Sequence, residues 1–187
     1  MPSKNDHMLL LCGLVVSIVG LVGVFTFGAT DKSRTAIDLW HWALLVGAVL
    51  QLPFAMNLRH NALAALAAVL MTVGLISTVG MCMLDFVFWA LPDPDLRGAV
   101  AGELMETPSI WQVFMLYGSE EVLYAGYVLA GLTVWKQSWL PAAAIFAGAA
   151  LAIGGPSWFN VAGACCVAAG FALWFRLGPQ ARTASAT

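Results

Sequence analysis

The chain has 187 residues, is 61% hydrophobic and only 10% charged, and carries a formal net charge of −2. Soluble domains carry about 25% charged residues, and a soluble fold of this size has too little interior for so much apolar surface. The charge balance leaves no basic face for nucleic acid, so the composition is that of a polytopic membrane protein, with a length that fits one membrane domain over 1–187.

Residues 1–7 form a short polar start holding Lys4. Residues 8–27 are the first apolar run. About 20 residues cross a hydrocarbon core, whereas the apolar part of a signal peptide needs only about 7–15, so the run reads as a retained helix. Residues 28–38 are a polar loop with Asp31, Lys32 and Arg34. The second span, 39–58, opens on Trp40-His41-Trp42, aromatic anchors of the interfacial kind, and holds Pro53, which is expected to kink it. Arg59-His60-Asn61 is a tight polar turn.

The third run, 62–90, is long enough to tilt or to project from the membrane, with Asp85 in its last turns. Leu91-Pro92-Asp93-Pro94-Asp95 stops it. The outer loop 91–109 sets Asp93, Asp95, Glu103 and Glu106 against Arg97, and its middle, 96–105, fits a short interfacial helix. Residues 110–135 are the fourth span. A shorter fifth run, 139–153, has Pro141 at a tolerated first-turn position. Gly154-Gly155-Pro156-Ser157 breaks the chain, residues 158–175 are the sixth span, and 177–187 is a small polar tail expected to be disordered.

The expected fold is therefore an all-α, six-span transmembrane helix bundle. With six spans, Lys4, Arg59, Lys136, Arg176 and Arg182 share one side, against Lys32, Arg34 and Arg97 on the other. The positive-inside rule then puts both termini in the cytoplasm of a multi-pass cell-membrane protein, most naturally in a bacterial inner membrane.

The stretch 115–127 holds all three tyrosines, Tyr117, Tyr124 and Tyr127, around the adjacent carboxylates Glu120 and Glu121. At 100° per residue these five side chains fall within an arc of about 120°, with Gly118, Ala125 and Gly126 opposite. A charge at mid-bilayer costs on the order of 3 kcal/mol by insertion scales, and an intramembrane carboxylate is by default a functional group. Neighbouring carboxylates without a counter-charge do not both stay ionised, so one is expected to keep its proton. The plainer reading is structural: tyrosine hydroxyls or backbone groups satisfy the pair and fix helix register. On the six-span layout His41, Asp85 and Asn160 lie toward the same outer end as Asp38 and the acidic loop. The expectation is an outward-facing acidic vestibule with Glu120 or Glu121 at its floor. The plainer reading of His41, between two tryptophans, is an interfacial residue, and Asp85 reads alternatively as a solvated or capping one.

No catalytic residue, metal site or cofactor is expected. His41, Asp85 and a glutamate would hold a divalent ion only if the fold gathered them, and no second buried histidine is at hand for haem. Cys12, Cys82, Cys165 and Cys166 lie in apolar runs without a CxxC pair and read as small hydrophobes. Successive residues of Met81-Cys82-Met83 point about 100° apart and cannot close on one Cu(I) ion. Ala144, Gly148 and Ala152, and likewise Ala162, Cys166 and Gly170, form small-residue rows that let helices approach closely in lipid. They serve either packing within the bundle or contact with a protein partner or second copy; the lipid bilayer itself is the other expected partner.

Glu120-Glu121-Val122-Leu123-Tyr124-Ala125-Gly126 resembles the E-E-x-x-x-R-G motif of the intramembrane CAAX-type proteases. That resemblance implies a glutamate activating water, completed by histidines on later helices. Here Ala125 stands at the arginine position, no histidine follows His60, and the later motifs would read Phe146-x-x-x-Ala150 and Pro156-x-x-x-Asn160. The fourth span, the link Lys136-Gln137-Ser138-Trp139-Leu140-Pro141 and a Gly/Ala-rich fifth span ending in Gly-Gly-Pro are similar to small bacterial six-helix membrane proteins. That similarity supports the topology and implies no chemistry. Three function classes follow: a non-catalytic binding or accessory subunit of a membrane assembly, a small proton-coupled carrier using Glu120/Glu121, and an intramembrane enzyme acting on a lipid or isoprenoid.

Overall fold

The computed structural model describes residues 2–27, 34–154 and 157–177; for 27, 34–37, 115–119, 154, 157 and 177 it describes the backbone alone. Asp31 and Lys32 of the first loop, Gly155-Pro156 of the late break, and the tail with Arg182 lie outside the described residues. The described elements are all helical: α1 (Lys4–Phe27), α2 (Arg34–Asn57), α3 (Ala62–Ala90), α4 (Pro94–Met105), the single turn α5 (Pro108–Ile110), a π-helical segment (Trp111–Val122), α6 (Leu123–Leu132), α7 (Trp139–Gly154) and α8 (Ser157–Leu177). Four of them, α1, α2, α3 and α8, are long and apolar enough to cross a membrane.

Local chemistry sets the ends. α1 begins four residues before the apolar run because Ser3 and Asp6 cap it reciprocally. The Ser3 N–H donates to Asp6 Oδ2 at 2.7 Å and the Asp6 N–H to Ser3 Oγ at 3.2 Å. Asn61 Oδ1 accepts from the Ala64 N–H at 2.8 Å and starts α3. α3 ends before Pro92, and Asp93 then caps α4 through the Asp95 N–H, with Pro94 in the first turn. Pro53 stays inside α2, which runs on to Asn57. The second helix starts at Arg34, so it takes in Asp38 and four residues that the sequence pattern gave to the loop.

The fourth apolar run departs from the sequence reading. A single α-helix over 110–135 is expected; the chain instead makes i→i+5 turns from Trp111 to Val122 and becomes α-helical only at Leu123. Gly118 and Ser119 are weak helix formers, and the packing against α3 supplies the stronger reason. Phe114 lies on Gly80 and Leu123 on Gly74. Six residues of α3 cover about 9 Å, whereas nine residues of α-helix would cover about 13–14 Å. A wider, shorter coil takes up the surplus.

The helices form a ring in chain order. α1 packs on α2, α2 on α3, α3 on the π segment and α6, α6 on α7, α7 on α8, and α8 closes the ring against α1. Three seams are backbone-close, the first between α1 and α2, where a Cβ on Gly13 would lie 2.6 Å from the carbonyl oxygen of Gly47. A Cβ on Gly126 would lie 2.6 Å from the backbone nitrogen of Met71, and one on Gly74 would lie 2.6 Å from the Cα of Leu123. Between α7 and α8, a Cβ on Gly148 would lie 2.5 Å from the carbonyl oxygen of Gly163, and the reverse distance is also 2.5 Å. Of the predicted rows, Gly148 and Ala152 serve this seam on α7. On α8 the seam uses Gly163 and Gly170, while Ala162 is exposed and Cys166 half-buried.

Candidate functional site

An axial cavity of about 100 Å³ lies inside the ring, with room for several waters. It is walled by α1, α2, α3, the π segment with α6, and α8; α7 contributes none of its described lining and braces α6 and α8 from outside. The antiparallel helices give it two consistent levels. At one end stand Leu21, Leu44, Met81, Glu120 and Asn160; at the other stand Leu14, Gln51, Leu75, Tyr127 and Val167. Seven residues separate Glu120 from Tyr127, about 10 Å along the helix at an α-helical rise.

The upper level is the mouth. Glu120 lines the cavity yet is exposed. Asn160 faces it from α8, and its Oδ1 is buried without a hydrogen-bond partner among the described residues. Buried polar atoms nearly always have a partner, so this oxygen is available to one. No Lys, Arg or His is among the described lining residues. Below the mouth, Tyr124 and Tyr127 meet edge to face with ring centroids 5.7 Å apart.

The lower level is closed by paired groups. The Tyr127 hydroxyl donates to Gln51 Oε1. Gln51 Nε2 donates to the Gly47 carbonyl at 3.1 Å and to Ser17 Oγ at 3.4 Å. Thr78 Oγ1 donates to the Gly74 carbonyl at 3.0 Å. Beneath lies an aromatic block. Tyr127 and Phe54 each touch Phe171 at 5.7 Å between centroids, and His7 stacks on Phe175 at 4.0 Å.

The predicted site residues divide into four groups. Glu120, Tyr124, Tyr127 and Asn160 line the cavity together. Glu121 is half-buried and is not among its lining residues; its Oε2 is buried without a described partner. The side chain of Tyr117 lies outside the described residues. His41 and Asp85 do meet, Nε2 to Oδ2 at 2.9 Å, but neither lines the axial cavity, and Asp85 belongs to a separate surface depression. There Asp85 shares a wall with Trp89, Trp111 and Arg97, whose guanidinium sits 4.7 Å above the Trp89 ring and ties α4 to α3. The single vestibule expected from the sequence is thus two features. Its expected floor, Glu120, is the mouth of a cavity that runs deeper.

Among the described residues no three His, Cys, Asp or Glu side chains gather as metal ligands. The described cysteines are unbonded: Cys82 is buried, and Cys12 and Cys165 are exposed on the bundle surface. Gln51, only 2% exposed, is the residue that sequence reasoning missed. A lone amide inside the apolar second span was its available signal. The chain matches no protein-family model, no curated protein and no solved structure.

Proposed function

We propose that this chain is a non-catalytic, six-span protein of the cell membrane that binds a small molecule in its axial cavity, acting as a binding subunit within a larger membrane assembly. One observation carries the reading: a cavity whose deep polar groups are paired with one another, while those at its mouth, Glu120 and Asn160, have no described partner. The groups left open at the mouth suit a ligand. The π segment and α6 together act as the fourth span and α7 as the fifth, and both termini are cytoplasmic by the Lys/Arg count. Impermeant thiol reagents applied to intact cells should label Asp95→Cys and should reach Lys136→Cys only after permeabilisation. The opposite pattern would reverse the orientation.

Binding is tested by native mass spectrometry of gently extracted protein. The parent should carry a small-molecule adduct that Ala164→Trp, which fills the cavity wall, loses. Any protein partner should remain with both, and with Glu120→Gln. An adduct equally present in Ala164→Trp, or absent from both, sinks the reading. A second reading, a proton-coupled carrier, draws on the position of Glu120 at the mouth; it requires pH-dependent flux that Glu120→Gln abolishes.

A further inference from the structure

We propose that the axial cavity selects a small organic monocation: a primary or secondary ammonium held at the mouth by Glu120 and Asn160, on an apolar body about 10 Å long that reaches toward Tyr127. This deepens the binding reading and rests on it. The sign of charge follows from the lining. Glu120 is the one carboxylate among the described lining residues, Glu121 adjoins it in sequence, and no described Lys, Arg or His faces the cavity. The nearby basic side chains are engaged elsewhere, His41 on Asp85 and Arg97 over Trp89. An anion would meet like charge there, with no described cation to offset it.

The division into head and body follows from which polar atoms are already paired. Tyr127, Gln51, Ser17 and Thr78 hydrogen-bond to one another or to backbone carbonyls. A ligand reaching that level meets apolar wall and aromatic ring faces. At the mouth, a carboxylate and a buried amide oxygen are both acceptors, and an ammonium supplies donors to both while neutralising the first. A calcium-like ion held by protein oxygens does not suit the described mouth. Hard cations take about six or more oxygens, and the mouth offers one carboxylate and one amide. A hydrocarbon chain alone would leave Glu120 and Asn160 without partners.

Three probes of one shape separate these cases: 2-phenylethylamine, 2-phenylethanol and 3-phenylpropionate, titrated calorimetrically into the full chain in zwitterionic nanodiscs. Ala164→Trp sets the background from lipid partitioning. The amine should bind at least about tenfold tighter than the alcohol, and the carboxylate weakest. Glu120→Gln should erase the preference while leaving alcohol binding intact, and Glu120→Asp should retain it. An amine no tighter than the alcohol, or a preference that survives Glu120→Gln, overturns the cation assignment and leaves cavity binding standing. No binding above the Ala164→Trp background by either probe removes both.

Discussion

Gly148→Val destabilises the bundle by about 3 kcal/mol, the upper end of what overpacking costs. The added Cβ would lie 2.5 Å from the carbonyl oxygen of Gly163 and 2.8 Å from the backbone nitrogen of Val167. Backbone atoms in a helix cannot swing aside as a long side chain can, so α7 and α8 must separate. Gly163→Val meets the same obstacle from the other side, 2.5 Å from the Gly148 carbonyl oxygen and 2.8 Å from the Ala152 nitrogen. Once one valine has parted the helices, the second finds space. The double variant should therefore cost well under the sum of the singles. Equilibrium unfolding in mixed detergent micelles measures all three, and strict additivity would show that the seam is not shared.

The second large effect lies at the cavity floor. Tyr127→Phe leaves Gln51 Oε1, in a residue only 2% exposed, without its donor; Gln51→Leu strands the Tyr127 hydroxyl. Stranding one buried partner costs about 1–3 kcal/mol, whereas removing both can be nearly neutral. The double variant should thus be more stable than either single, with a coupling of about 1 kcal/mol, in the range of hydrogen bonds between membrane helices. The same unfolding titration reads it. Two singles that each cost nothing would mean that the bond adds nothing to the floor.

Much of this fold is written locally and could be read as such. The bounds of α3 follow from Asn61, whose side chain caps the first turn, and from Pro92, which forbids another turn. The helix in the outer loop follows from Asp93-Pro94. The shared face of Glu120, Tyr124 and Tyr127 came from helical periodicity, and so did the contact side of Gly126. Ala125, expected on that contact side, is exposed instead. The π segment was not legible, because its cause is a mismatch between two chain lengths spanning the same pair of contacts on α3. No local signal in Trp111–Val122 records where Gly74 and Gly80 will lie. The separation of His41–Asp85 from Glu120 was hidden for a related reason. Sequence order gives depth along each helix, but not which helices share the axis. Gln51 was passed over because an uncharged amide barely perturbs an apolar run, although burial in lipid makes its partners as consequential as those of a charge.

The floor formed by Tyr127, Gln51 and the aromatic block makes the cavity a blind well rather than a passage. A blind well exchanges its contents with one compartment alone. Its occupancy at equilibrium is a function of concentration at the Glu120 end and is indifferent to any gradient across the bilayer. A pump or channel couples two reservoirs, whereas a well on the proposed binding reading samples one. Transfer to the far side would need Tyr127 to release Gln51 while the mouth is shut. On the proposed binding reading, the stability of that buried hydrogen bond and of the aromatic packing beneath it together keep the well open to one side alone.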